Sequence, residues 1–217
     1  MSINVLEQHI ETGNFRDLEH LLSQNTALLK EKTSHNISPL LLACYYHKPQ
    51  IVQVILKYTT SITVHEACAV GLLQHLQMMI EHKPEIVEEW SSHGFTPLGI
   101  ATHFNKEDIV RLLLTHKADP NISSQNGYNV YPLLTALSNN NSNISKMLIE
   151  AGAHVNLQQR GGYAPIHYAA QHGNIDLIII LLEQGADITV LTESGHSAAD
   201  LASEKGFRDI AEILQIN

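Results

Sequence analysis

Ala164-Pro165-Ile166-His167-Tyr168-Ala169-Ala170 recurs, with changes, as Thr96-Pro97-Leu98-Gly99-Ile100-Ala101-Thr102, as Ser38-Pro39-Leu40-Leu41-Leu42-Ala43-Cys44 and as Tyr131-Pro132-Leu133-Leu134-Thr135-Ala136-Leu137. Weaker copies stand at Ser197-Ala198-Ala199-Asp200-Leu201-Ala202 and Ile62-Thr63-Val64-His65-Glu66-Ala67. With the opening segment aligned too, the proline column reads Val5, Pro39, Thr63, Pro97, Pro132, Pro165, Ala198, at successive intervals of 34, 24, 34, 35, 33 and 33 residues. A period of this size marks a solenoid, in which each unit buries its apolar face only against its neighbours.

Two further columns keep the same register. Eight residues after the proline column stand Gly13, His47, Gly71, Asn105, Asn140, Gly173 and Gly206. Glycine and asparagine suit the left-handed turn that ends a helix. Further on come the apolar pairs Leu21-Leu22, Ile55-Leu56, Met79-Ile80, Leu113-Leu114, Leu148-Ile149 and Leu181-Leu182, which fit the buried stripe of a second helix. Tails such as Lys117-Ala118-Asp119-Pro120-Asn121 and Gly185-Ala186-Asp187-Ile188-Thr189 read as turn-rich connectors. Proline can open the first helix because its missing N–H has no partner there, and small alanines let neighbouring units approach.

On these residues the chain resembles the ankyrin repeat family, whose unit of about 33 residues carries Thr-Pro-Leu-His-x-Ala. The resemblance covers nearly the whole sequence. It implies one all-α ankyrin-repeat solenoid of about seven helix-turn-helix units with short β-turn fingers, over residues 1–217. The expected units are about 2–32, 33–60, 61–90, 91–123, 124–158, 159–191 and 192–217. The short interval between Pro39 and Thr63 leaves no room for a finger after Tyr58, so one finger should be missing between the second and third units. The linker from Asn121 to Pro132 is two residues longer than that from Asn156 to Pro165 and contains Asn126-Gly127, a turn signal, so its finger should protrude. The first and last units depart from the motif as capping units do.

Composition narrows the function. The chain has 217 residues, with 13 Lys+Arg against 22 Asp+Glu and a net charge of −9. That balance lacks the basic footprint of a nucleic-acid binder and favours a partner of basic character. The longest apolar runs, such as Leu177 to Leu182, are too short to span a bilayer, so no membrane association is expected. Two cysteines and an opening segment without a signal-peptide pattern point to the cytoplasm.

Catalytic motifs are absent. No phosphate-binding glycine loop and no Gly-x-Ser-x-Gly occurs, and His65-Glu66 lacks the second histidine of a zinc-protease helix because residue 69 is Ala69. Ser194, His196 and Asp200 lie in columns the repeat already explains. Cys44 and Cys68 fall in the small-residue column and should point into the stack, about 10 Å apart and beyond disulfide reach. The chain is therefore expected to be no enzyme and to need no metal or cofactor. His65 and His167 occupy the Thr-Pro-Leu-His column, where the resemblance implies imidazoles bonded to neighbouring backbone. For Asn121 and Asn156 it implies hydrogen bonds within the hairpins.

The resemblance also implies that protein partners dock on the concave face made by finger tips and first helices. Positions six and seven after the proline column include Tyr45, Tyr46, His103, Phe104, Asn139, Gln171 and His172. Finger columns add Trp90, His93, Phe95 and Tyr163. Aromatic residues are 6% of the chain, yet six of them fall in these columns. Tyrosine and tryptophan anchor interfaces because they bury much area at low entropic cost. The competing reading packs Trp90 and Phe95 into the gap left by the missing finger. Histidines near this face, His35, His93, His103, His172 and His196, read as solvated, with pH-dependent docking as the alternative. The expectation is a non-catalytic protein-binding module. Its alternatives are a regulator, immunity protein or effector acting on an enzyme partner, and a structural protein that self-associates weakly through its aromatic face.

Overall fold

The computed structural model describes residues 2–215. Among them the α-helices follow in pairs: α1 (Ile3–Thr12) with α2 (Phe15–Gln24), α3 (Pro39–Tyr45) with α4 (Pro49–Tyr58), and α5 (Val64–Val70) with α6 (Leu73–His82). Then come α7 (Pro97–His103) with α8 (Glu107–Thr115), α9 (Pro132–Ser138) with α10 (Ser142–Glu150), α11 (Pro165–Gln171) with α12 (Ile175–Glu183), and α13 (Ala198–Glu204) with α14 (Arg208–Gln215). No β-strand occurs among the described residues. Each first helix packs on the first helix of the next pair.

The local chemistry explains where these helices begin and end. Ser38, Thr63, Thr96 and Ser197 accept hydrogen bonds from the backbone N–H groups of Leu41, Glu66, Gly99 and Asp200, capping α3, α5, α7 and α13. Pro39, Pro97, Pro132 and Pro165 each stand in the opening turn of their helix. All seven residues of the glycine-asparagine column have positive φ, from 52° at His47 and Asn140 to 94° at Gly71. At Gly173 a side chain is excluded twice over. Its φ is 67°, and an added Cβ would lie 2.6 Å from the Phe207 ring of the following unit.

The connectors differ more than the helices. Only Thr59–Thr63 separates α4 from α5. Two connecting segments, Thr26–Lys30 and Pro84–Glu88, form 3-10 turns that bury Leu28, Ile86 and Val87. Where full hairpins occur, asparagine side chains tie one to the next. Asn121 donates from Nδ2 to Gly152 O and accepts from His154 N, and Asn156 repeats this with Gly185 O and Asp187 N. The resemblance placed these bonds within each hairpin. They run between successive hairpins, which stiffens the row.

The core is a continuous strip of Leu, Ile, Val and Ala along the stack, and it changes character across its width. The first helices contribute buried alanines, among them Ala43, Ala67, Ala101, Ala136, Ala169 and Ala202, whereas the second helices contribute Leu22, Ile55, Ile80, Leu113, Leu148 and Leu181. Smaller side chains allow shorter interaxial distances. From α5 onward the first helices accordingly lie in closer contact with each other than the second helices do, so the row curves toward them. Among the described residues Thr102 is the one imperfection: its hydroxyl is fully buried and has no hydrogen-bond partner.

Two histidines tie a first helix to the connector that leaves its own unit. His65, 6% exposed, donates from Nε2 to Glu89 O at 2.8 Å. Fully buried His167 accepts from Ala164 N at 3.0 Å through Nδ1 and donates from Nε2 to Val190 O at 3.1 Å. The His167 bridge requires a neutral ring because Nδ1 accepts in it, and burial lowers the pKa values of both histidines below the ordinary 6.5. The unfolded chain therefore takes up protons at higher pH than the folded one. Stability should be complete above about pH 6.5 and fall as pH drops through that value toward the lowered folded values. Urea unfolding at pH 8 and pH 5.5 measures this, and His167→Gln should flatten the pH dependence while lowering stability at pH 8.

Candidate functional site

The inner flank is built by the C-terminal ends of the first helices, because each of these short helices stops before its last side chains are covered. Tyr45 closes α3, and His103 and Phe104 close α7, two units further along. On α5, between them, the equivalent position holds Ala69, which projects only a methyl group. The rings of alternate units consequently meet above it. Tyr45 lies 5.0 Å from Phe104 and 5.4 Å from His103, centroid to centroid, and His103 meets Phe104 edge-on at 4.9 Å and 88°. Ala69 is left 2% exposed, whereas Tyr45 is 39% exposed. Each such ring contact contributes about 1 kcal/mol beyond the area it buries. Tyr46 projects the other way, donating its hydroxyl to Glu11 at 3.1 Å, and this bond raises its pKa.

The finger residues divide between surface and support. Trp90 is exposed, following the backbone carbonyl that His65 holds. Phe95 is half-buried and packs against the core, so it supports the surface more than it forms it. His93 donates from Nε2 to His35 O at 2.9 Å, joining the finger before α7 to the loop before α3 across the short α4–α5 connection. A second aromatic patch lies further along. Half-buried Tyr163 stacks on Tyr168 at 5.3 Å and meets His167 at 5.9 Å, beside half-buried Gln171 and exposed His172. Exposed Asn139 separates the two patches and ties back to His103 O at 3.3 Å.

Four residues of this face carry no weight in the sequence columns singled out above. Tyr168 is only three positions past Pro165 and pairs with Tyr163. Tyr128, 55% exposed at the tip of the longer finger, lies under the Arg160 guanidinium at 5.6 Å. It sits four residues before Pro132, the finger offset that holds His93 before Pro97, so the register could have found it. Lys48 and Lys106 follow the glycine-asparagine column, and their side chains fold over Gly13 and Gly71 of the preceding units.

Two hollows open between these groups. A cleft of about 440 Å³ runs from α3 and the start of α4 to the end of α7, with Ala69 and Val70 at its floor and Lys48, His103, Phe104 and Lys106 among its walls. A smaller hollow of about 250 Å³ lies between His35, Ile37, Leu42, Tyr45 and Tyr46. Tyr45 thus borders the small hollow and touches two walls of the large one. Burial, with help from His47, keeps His103 below its ordinary pKa, so it is a neutral ring at physiological pH. Burial pushes the Cys44 thiol up to about 11, and Cys68 is pushed up likewise, so both free cysteines are held as thiols at physiological pH. Among the described residues no three His, Cys, Asp or Glu side chains gather as a metal site, and no helix is long and apolar enough to cross a membrane. Ser194 Oγ does lie 2.9 Å from His196 Nδ1, but Asp200 is committed to capping α13 through Ser197.

The chain belongs to the ankyrin repeat family. A family model described as ankyrin repeats, in three copies, matches residues 6–124, 64–159 and 133–217. An ankyrin repeat and SAM domain-containing protein of Rattus norvegicus is 30% identical over 96 residues, 44% of this chain and 11% of that protein. An ankyrin repeat protein of Acanthamoeba polyphaga mimivirus is 25% identical over 179 residues, 76% of this chain and 23% of the relative. One from fowlpox virus is 34% identical over 132 residues, 55% of this chain and 39% of the relative. The chain thus spans well under half of the relatives it matches. Ankyrin repeat proteins generally mediate protein–protein interactions and are typically non-catalytic.

If the ring cluster depends on the small side chain at Ala69, Ala69→Leu should overpack it. The expected loss is about 2 kcal/mol in urea unfolding, as for extra methylenes forced into a filled site. Ala69→Gly, which leaves the rings room to meet, should instead lose about 1 kcal/mol through helix propensity alone.

Proposed function

We propose that this chain is a non-catalytic protein-binding module whose partner lies along the first-helix ends and finger tips, anchored on Tyr45, His103 and Phe104. The observation that carries the reading is the ring cluster itself. In a chain only 6% aromatic, rings from alternate units converge at the inner flank and remain partly open to solvent. Clusters of this type supply interface hot spots, because their rings are already ordered and lose little entropy on binding. Tyr46, Trp90, His93 and Asn139 extend the surface from the anchor. Tyr163, Tyr168, Gln171 and His172 form a second contact point about three units further on, which suits a partner that follows the row. Phe95 acts from beneath.

A rigid row held by helix stacking and hairpin-to-hairpin asparagines presents these groups without reorganisation. The unit boundaries follow the helix pairs, so each unit contributes one first-helix end to the surface. The test is a tagged chain used to capture partners from native lysate, followed by affinity measurement with the partner recovered. Tyr45→Ala with Phe104→Ala should weaken binding about 30-fold, the effect of losing roughly 2 kcal/mol of hot-spot contact. Met78→Ala with Ile179→Ala, exposed second-helix residues, should change it less than about twofold. Equal effects of the two pairs, with helical circular dichroism retained in both, would remove the inner flank as the docking surface.

A further inference from the structure

Net charge points toward a basic partner, but charge is not spread evenly over this molecule. The carboxylates near the first helices are already engaged. Glu7 accepts from Ser34 N and Oγ, Glu11 from Tyr46, Glu66 from Thr63, and Asp200 from Ser197, while Glu204 pairs with His196. Glu107, next to Lys106 in sequence, is held by Asn143 at 3.2 Å. Between Glu11 and Glu204, positions six and seven after the proline column contain no carboxylate at all. Lys48 and Lys106 meanwhile flank the large cleft, and neither has a hydrogen-bond or ion-pair partner for its ammonium group among the described residues. The cleft itself is lined by Lys48 and Lys106 and by no carboxylate among the described residues, so it is locally cationic.

We infer that the cleft between Lys48 and Lys106 receives an acidic side chain of the docked partner, while an adjacent large apolar side chain of that partner enters the hollow formed by Ile37, Leu42, Tyr45 and Tyr46. Tyr45 lines the small hollow and packs against His103 and Phe104 of the large one, so neighbouring residues of one extended segment reach both. A carboxylate that draws the Lys48 and Lys106 ammonium groups from their resting places over Gly13 and Gly71 gains charge-assisted hydrogen bonds that an amide does not, and a basic side chain there is repelled. The apolar floor of Ala69 and Val70 excludes water beneath the ion and strengthens the attraction. The partner segment is thus acidic and apolar, in opposition to what the net charge of −9 suggests.

This inference rests on the docking face proposed above, and its test separates the two. Three fluorescein-labelled peptide pools of equal length, each with a central Leu or Phe flanked by Glu, by Gln or by Lys, are titrated with the intact chain at low salt. The Glu pool should bind at least about tenfold more tightly than the Gln pool, with the Lys pool weakest. Lys48→Glu with Lys106→Glu should reverse the order of the Glu and Lys pools, while Tyr45→Ala with Phe104→Ala should weaken all three. Lys48 and Lys106 are half-buried surface residues, and Lys48→Gln with Lys106→Gln guards against any folding defect by abolishing the preference without reversing it. Loss of all three pools with the aromatic variant but no charge preference would overturn the acidic segment and leave the docking face standing. No binding by the Glu pool would overturn the acidic segment, and indifference to both substitutions would overturn both.

Discussion

Each helix pair of this chain is too small to enclose a core, so every unit depends on a neighbour to cover its apolar stripe. The contact that makes this work is the approach of one first helix to the next through alanine. Ala43, Ala67, Ala101 and Ala136 are completely buried in successive first helices, and the branched residues that fill the opposite side belong to the second helices. A row with small residues on one side and large ones on the other has to bend. Bending brings the ends of alternate first helices toward each other, and where the intervening helix carries Ala69, side chains two units apart touch. The binding face is therefore a consequence of how the core is packed.

Much of this was legible in the sequence, and the reasons are local. A residue that ends a helix in the left-handed region is chosen by backbone sterics at its own position, so the column from Gly13 to Gly206 announced seven helix ends and all seven have positive φ. Proline at the opening turn and Ser or Thr before it are likewise local choices. The 3-10 turns at Thr26–Lys30 and Pro84–Glu88 were not legible, because five residues are too few to show a periodicity of their own. The asparagines of the hairpins were read correctly as hydrogen-bonding residues but assigned to the wrong partners, because those partners belong to the next hairpin, about 30 residues on.

The candidate site divides in a similar way. Its aromatic columns could be read because exposure repeats with the unit. The meeting of Tyr45 with Phe104, residues 59 apart, could not be, because it depends on curvature and on the absence of a side chain at Ala69. Nor could the sequence show that Lys48 and Lys106 come together with no carboxylate among the described residues that line the cleft between α3 and α7. Net charge is a property of the whole molecule, and a partner meets only one flank of it.

The central claim is that rings from alternate units form one surface above Ala69. Nuclear Overhauser contacts among aromatic side chains test it most directly, in a sample with labelled Tyr, Phe and His. The account predicts strong cross-peaks from the Tyr45 ring to both Phe104 and His103, retained in Ala69→Gly and lost in Ala69→Leu. A folded protein showing no contact between Tyr45 and Phe104 would contradict it.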